Sequence, residues 1–156
     1  MKLTYDNIRE FLKGYFEIFN KYGQNPKTNY RMNDYFHPDL EFVEYSEGVP
    51  PILGRERLLA EVSEHTSSHE KLIPEEIVVD ERRGVAVVLI KTEITDAITG
   101  ELLVAKSYLV HYQLVLDQSN TIKIKRILLF EEQLTPGKLD VGDVFMRDRK
   151  KHNSID

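Results

Sequence analysis

Glu44 is the residue whose setting most suggests chemistry. It follows Leu40 and Phe42 at alternate positions, so a strand over residues 40–45 carries all three on one face and Glu41, Val43 and Tyr45 on the other. A carboxylate held among apolar walls is expected to have a raised pKa, which suits a general base or acid near neutral pH. The alternative is a strand-end glutamate in solvent, since a slip of one residue would reverse the face.

Other candidates lie at a distance in the chain. Tyr15 stands on an aromatic first helix, and Tyr108 and Tyr112 alternate with Val110, Leu114 and Leu116 along a long strand. That apolar side is expected to face inward, which makes the tyrosines wall residues with polar tips. His111 and Gln113 fall on the opposite side and read as interface residues. His65 and His69 have the spacing by which one helix presents two metal ligands. Thr66-Ser67-Ser68 between them looks like a helix end, however, and no third ligand follows, so no metal is expected. An acid/base role for His65 at a pocket mouth suits an imidazole better. Glu131 and Glu132 end the last strand and read as exposed charge.

These residues need elements to position them. Ile8, Phe11, Leu12, Tyr15, Phe19 and Tyr22 predict a helix over residues 5–22, with Thr4 able to cap it and Gly23 to end it. Asn25-Pro26 opens a second helix that His37-Pro38-Asp39 should stop. After the loop at Gly48-Val49-Pro50-Pro51, a third helix runs from Arg55 to about His65. Strands follow over 76–80, 85–95, 101–116 and 121–132. The longest exceed the usual strand length and so predict strong twist or bulges. Helices first and a meander of strands afterwards imply an α+β fold, with helices on one face of a curved antiparallel sheet. Residues 1–135 are expected to form one domain and 136–156 a polar tail.

With 156 residues, 41% hydrophobic and 30% charged, the chain can bury a core, and wholesale disorder is excluded. No apolar run approaches the length of a membrane span. The absence of cysteine removes disulfide and thiolate chemistry. A net charge of −5 argues against nucleic-acid binding, and the basic run Arg147–His152 reads as a solvated tail. The N-terminus lacks a signal peptide's apolar segment, so a cytoplasmic location is the simplest expectation.

The order of these pieces resembles the nuclear transport factor 2-like superfamily, and within it the SnoaL-like and ketosteroid-isomerase-like proteins. The resemblance covers roughly residues 4–133. It rests on the aromatic first helix ending at Gly23, on the run Tyr35-Phe36-His37-Pro38-Asp39-Leu40-Glu41-Phe42, on Gly54-Arg55-Glu56, and on the closing strand followed by Glu131-Glu132. It implies a cone of three N-terminal helices and a curved sheet enclosing a pocket, with Phe19, Tyr35, Phe42 and Tyr108 lining it. Within the pocket it implies a base at or near Glu44. Relatives of the isomerase kind stabilise an enolate with a tyrosine from the first helix, which falls close to Tyr15, and with a protonated acid on a late strand. This chain holds His111-Tyr112 there instead. Glu44, Tyr15, His65 and Tyr112 are therefore the expected catalytic set. The implied activity is a cofactor-independent lyase or isomerase acting on a small hydrophobic carbonyl compound, in a homodimer formed through the sheet. A non-catalytic dimeric module for a hydrophobic ligand or protein is the alternative.

Overall fold

The structure, a computed structural model, describes residues 1–45 and 48–131 together with Phe145, Met146 and Arg149. Thr4 caps the first helix, α1 (Tyr5–Ile18): its hydroxyl oxygen accepts the backbone N–H of Asn7 at 3.2 Å, satisfying one of the helix's orphan donors. Ile8, Leu12, Tyr15 and Phe16 form the buried stripe. The helix then widens into a π-helical turn, Phe19–Gly23. Gly23 is needed there for space, because a Cβ would stand 2.7 Å from the Phe19 ring.

The second helix is shorter than the sequence predicts, a 3-10 segment over Asn29–Asp34. Phe36, His37, Pro38 and Asp39 open strand β1 (Phe36–Tyr45) rather than closing a helix. After β2 (Ile52–Leu53), helix α2 runs over Arg55–Ser63. Gly54 precedes it with φ of 93°, a left-handed backbone that favours glycine. Its N–H donates to the Leu40 carbonyl at 2.7 Å, and Arg55 Nη1 donates to the Phe36 carbonyl at 3.0 Å, so α2 is stitched to β1.

Four long strands follow: β3 (Ser68–Asp80), β4 (Val85–Asp96), β5 (Leu102–Leu116) and β6 (Ile122–Phe130). The sheet is open, in the order β2-β1-β6-β5-β4-β3. It is mixed rather than wholly antiparallel, because β1 and β6 pair in parallel. Only neighbours joined by tight hairpins must run antiparallel, and these two strands are separated by most of the chain. Register shifts at Phe36/Glu41, Pro74/Glu76, Ile94/Thr95 and Gln113/Leu114 supply the expected bulges, which bend the sheet around the helices. Pro38 and Pro74 both lie at such shifts, where a missing N–H is tolerated.

The edge strand β3 is covered by side chains from the π-helical turn and just beyond it. Asn20 donates to the Leu72 carbonyl at 2.9 Å and accepts its N–H at 2.8 Å, and Gln24 accepts the Glu70 N–H at 2.9 Å. These bonds occupy backbone groups that an open edge would expose.

The core lies between α1 and the inner sheet face, where Val88, Ile90, Val110, Tyr112 and Leu114 are buried. The inward and outward sides of β5 fall as the alternation predicts. Leu109 is exposed on the outer face, with His111 and Gln113 partly buried beside it. No helix among the described residues is long and apolar enough to cross a membrane. Most of the expected tail, residues 136–156, lies outside the described residues, as does Glu132; Phe145 and Met146 are exposed.

Candidate active site

A cavity of about 450 Å³ opens between the helices and the inner face of the sheet. That volume falls in the range, roughly 300–1,000 Å³, of pockets that hold small organic ligands. Aromatic and aliphatic side chains make most of its wall, including Phe19, Phe36, Phe42, Leu58, Ile90 and Leu129.

Tyr15 and Tyr112 both line this cavity and are almost wholly buried, at 3% and 2% exposure. Their side chains are hydrogen-bonded to each other. Their rings meet edge-on at 5.9 Å between centroids, an arrangement favoured by the aromatic quadrupole. Burial pushes both phenols well above the ordinary tyrosine range, and the nearby Glu70 charge pushes in the same direction. The pair therefore remains protonated and able to donate hydrogen bonds to a ligand oxygen.

Alternation along β1 buries Leu40 completely and sets Phe42 and Glu44 in the cavity wall. The face on which the sequence placed Glu44 is the one it occupies. Tyr108 also lines the cavity, and burial raises its phenol pKa, followed by the charge of Glu131. Glu131 itself lies in the lining, and Lys106 donates to it at 2.8 Å.

Tyr35 is the expected wall residue that lies elsewhere. Its ring packs between Phe11, at 5.2 Å, and Tyr15, at 6.0 Å, with its hydroxyl beside Gly14. Because the 3-10 segment ends at Asp34, the chain turns into β1 one residue earlier than a helix through Phe36 would allow. Phe36 takes the cavity position instead.

Helix α2 ends at Ser63, so His65 and His69 do not share a helix face. His65 lies in the connection to β3 and reaches the cavity rim, while His69 is exposed on β3 itself. Among the described residues no group of three or more His, Asp or Glu is arranged to hold a metal ion.

Glu70 is the member of the site that sequence reasoning missed. It shares the inward face of β3 with Leu72, is partly buried, and lines the cavity. Burial raises its pKa above the ordinary glutamate range, and the neighbouring His65 imidazole opposes that rise. Its charge acts on Tyr15, Tyr112 and Tyr108 alike. A signal did exist: Glu70 precedes Leu72 by one alternation. Starting the strand at Glu76 left that pattern unread.

The fold is matched by solved structures across most of this chain. A ketosteroid isomerase-like protein from Erwinia carotovora atroseptica is 16% identical, with a TM-score of 0.57 over 83% of this chain and 96% of that one. An NTF2-like protein from Anabaena variabilis is 18% identical, with a TM-score of 0.60 over 86% and 96%. A SnoaL-like protein from Mesorhizobium loti is 20% identical, with a TM-score of 0.54 over 80% and 98%. No protein-family model matches the sequence, and no curated protein matches it. At these identities the likeness establishes the fold and leaves the reaction to the site.

Proposed function

We propose that this chain, which has the NTF2-like α+β fold of the ketosteroid isomerase-like and SnoaL-like proteins, is a cofactor-independent lyase or isomerase. Its substrate would be a small hydrophobic carbonyl compound. The observation that carries this reading is the hydrogen-bonded Tyr15–Tyr112 pair in the same apolar cavity as Glu44 and Glu70.

In this scheme the substrate carbonyl oxygen docks against the tyrosine pair. The Glu44 carboxylate removes a proton from the adjacent carbon, and the C–H electron pair moves into the carbonyl to form an enolate. Tyrosine O–H donors hold the developing negative charge in a site with little water. Glu70, whose pKa burial raises, stands in the same lining from β3, whereas the resemblance implies an acid on the late strand. The proton then returns from Glu44 to a different carbon in an isomerisation. In a lyase step the enolate instead expels a group from the β-carbon, protonated by His65 at the rim.

Leu89 and Leu109 are exposed on the outer sheet face, beside His111 and Gln113, which supports a homodimer through that face.

The test is exchange of α-protons in D2O, followed by proton NMR over a panel of cyclic ketones such as 2-tetralone and 2-indanone. Wild type should accelerate exchange of at least one of them. Glu44→Gln should slow it by about 10²- to 10⁴-fold, the usual contribution of a general base. If the ketones bind and none exchanges faster than in buffer, the chain is a ligand-binding module instead.

A further inference from the structure

Thr92 lies within β4 on the inward face that it shares with Ile90 and Ile94, and all three line the cavity. It is 1% exposed, and its hydroxyl oxygen has no hydrogen-bond partner among the described residues. Native interiors leave few such hydroxyls unpaired, so one beside a cavity points to a partner that arrives from outside the chain.

The charge of the lining narrows what that partner can be. Glu44, Glu61, Glu70 and Glu131 all contribute to the wall, and no lysine or arginine does among the described residues. Lys106, at the edge of this group, is engaged by Glu131 at 2.8 Å. A ligand carrying a carboxylate or phosphate would face several acids with only the His65 imidazole in compensation. An uncharged ligand meets no such opposition.

Register sets the two polar anchors apart. Tyr112 pairs with Ala86 near the start of β4, whereas Thr92 pairs with Leu72, the next inward position from Glu70. The anchors thus stand on neighbouring strands, well apart in register, with aromatic and aliphatic walls between them, and an extended apolar frame bearing an oxygen at each end would bridge them.

We propose that Thr92 is a second ligand anchor, and that the ligand is an uncharged ring compound with two oxygen functions, one met by the Tyr15–Tyr112 pair and the other by the Thr92 hydroxyl. This deepens the carbonyl-compound reading above and rests on its assignment of the tyrosine pair as the oxygen-binding wall.

Binding of 2-naphthol, 2,6-dihydroxynaphthalene and 6-hydroxy-2-naphthoate tests it, measured by calorimetry or ligand fluorescence at neutral pH. Wild type should hold the dihydroxy compound about five- to tenfold more tightly than 2-naphthol, the worth of one added hydrogen bond. The naphthoate should bind more weakly than either. Thr92→Val should abolish the preference for the second hydroxyl, while Thr92→Ser should keep it. Thr92→Val should also raise the melting temperature of the free protein, because it removes an unpaired buried hydroxyl.

An unaltered preference in Thr92→Val, tighter binding of the naphthoate, or a wild type that binds none of the probes would overturn the inference. The two readings fail separately. Thr92-dependent binding without ketone exchange removes the lyase or isomerase assignment alone. Exchange without Thr92 dependence removes this one alone.

Discussion

Gln24 accepts the backbone N–H of Glu70 at 2.9 Å through its side-chain oxygen, tying the end of the first helical segment to the carboxylate-bearing stretch of the edge strand. Asn20, one helical turn earlier, makes two bonds to Leu72, so the helix substitutes for the strand neighbour that β3 lacks. Asn20→Ala strips partners from both backbone groups of Leu72 and should cost about 1–3 kcal/mol. Gln24→Ala leaves one N–H and should cost less. Urea unfolding of both variants checks the order, and equal stability to wild type would show that water replaces these bonds at no cost.

The tyrosine pair permits a double-mutant cycle. Tyr112→Phe alone leaves the buried Tyr15 hydroxyl without its side-chain partner and should destabilise by about 1–3 kcal/mol. Converting both to phenylalanine removes the two polar groups together. The double variant should therefore be more stable than the sum of the single changes predicts, by about 0.5–3 kcal/mol of coupling. Strict additivity in chemical denaturation would contradict a direct bond between them. Ketone exchange should fall in both single variants.

Glu70 makes stability depend on pH in a definite direction. Burial raises its pKa in the folded chain above that of the unfolded chain, so the folded state binds more protons between the two values. Its contribution is fully present below the unfolded value and is lost as pH rises through the folded one. Melting temperature should therefore decline across that window more steeply in wild type than in Glu70→Gln, which has no proton to lose. Parallel melting profiles for the two proteins would rule out a raised pKa at this position.

Gly23→Ala should damage the site through packing alone. The added Cβ would stand 2.7 Å from the Phe19 ring, which itself lines the cavity. Overpacking of this kind costs about 1–3 kcal/mol, and the displaced ring should weaken 2-naphthol binding as well. Unchanged melting temperature and affinity would mean that the π-helical turn relaxes freely.

The proposed homodimer is open to one substitution. Leu109→Asp puts a charge in the middle of the outer sheet face, where the wild-type residue is 47% exposed, so the isolated fold should tolerate it. Sedimentation velocity should show wild type as a dimer and the variant as a monomer with unchanged circular dichroism. A monomeric wild type at micromolar concentration would remove the proposal.

Alternation was enough to orient β5 and the end of β1. Side chains two apart must share a face, so Leu40 and Phe42 carried Glu44 with them, and Val110 carried Tyr108 and Tyr112. Helix limits set by a cap and by a close contact, Thr4 and Gly23, were legible for the same local reason. The end of the second helical segment was less so. The signal at His37-Pro38 proved to be a bulge within a strand, because pairing with β6 draws Phe36 out of the helix. What the tertiary structure alone decided was pairing over long range: the parallel contact of β1 with β6, the bond between Tyr15 and Tyr112, and the meeting of Glu70 with those tyrosines. Local patterns state which way a side chain faces, but convergence depends on how a bulged sheet bends around its helices. That bend is set by contacts between segments that are neighbours only once the chain has folded.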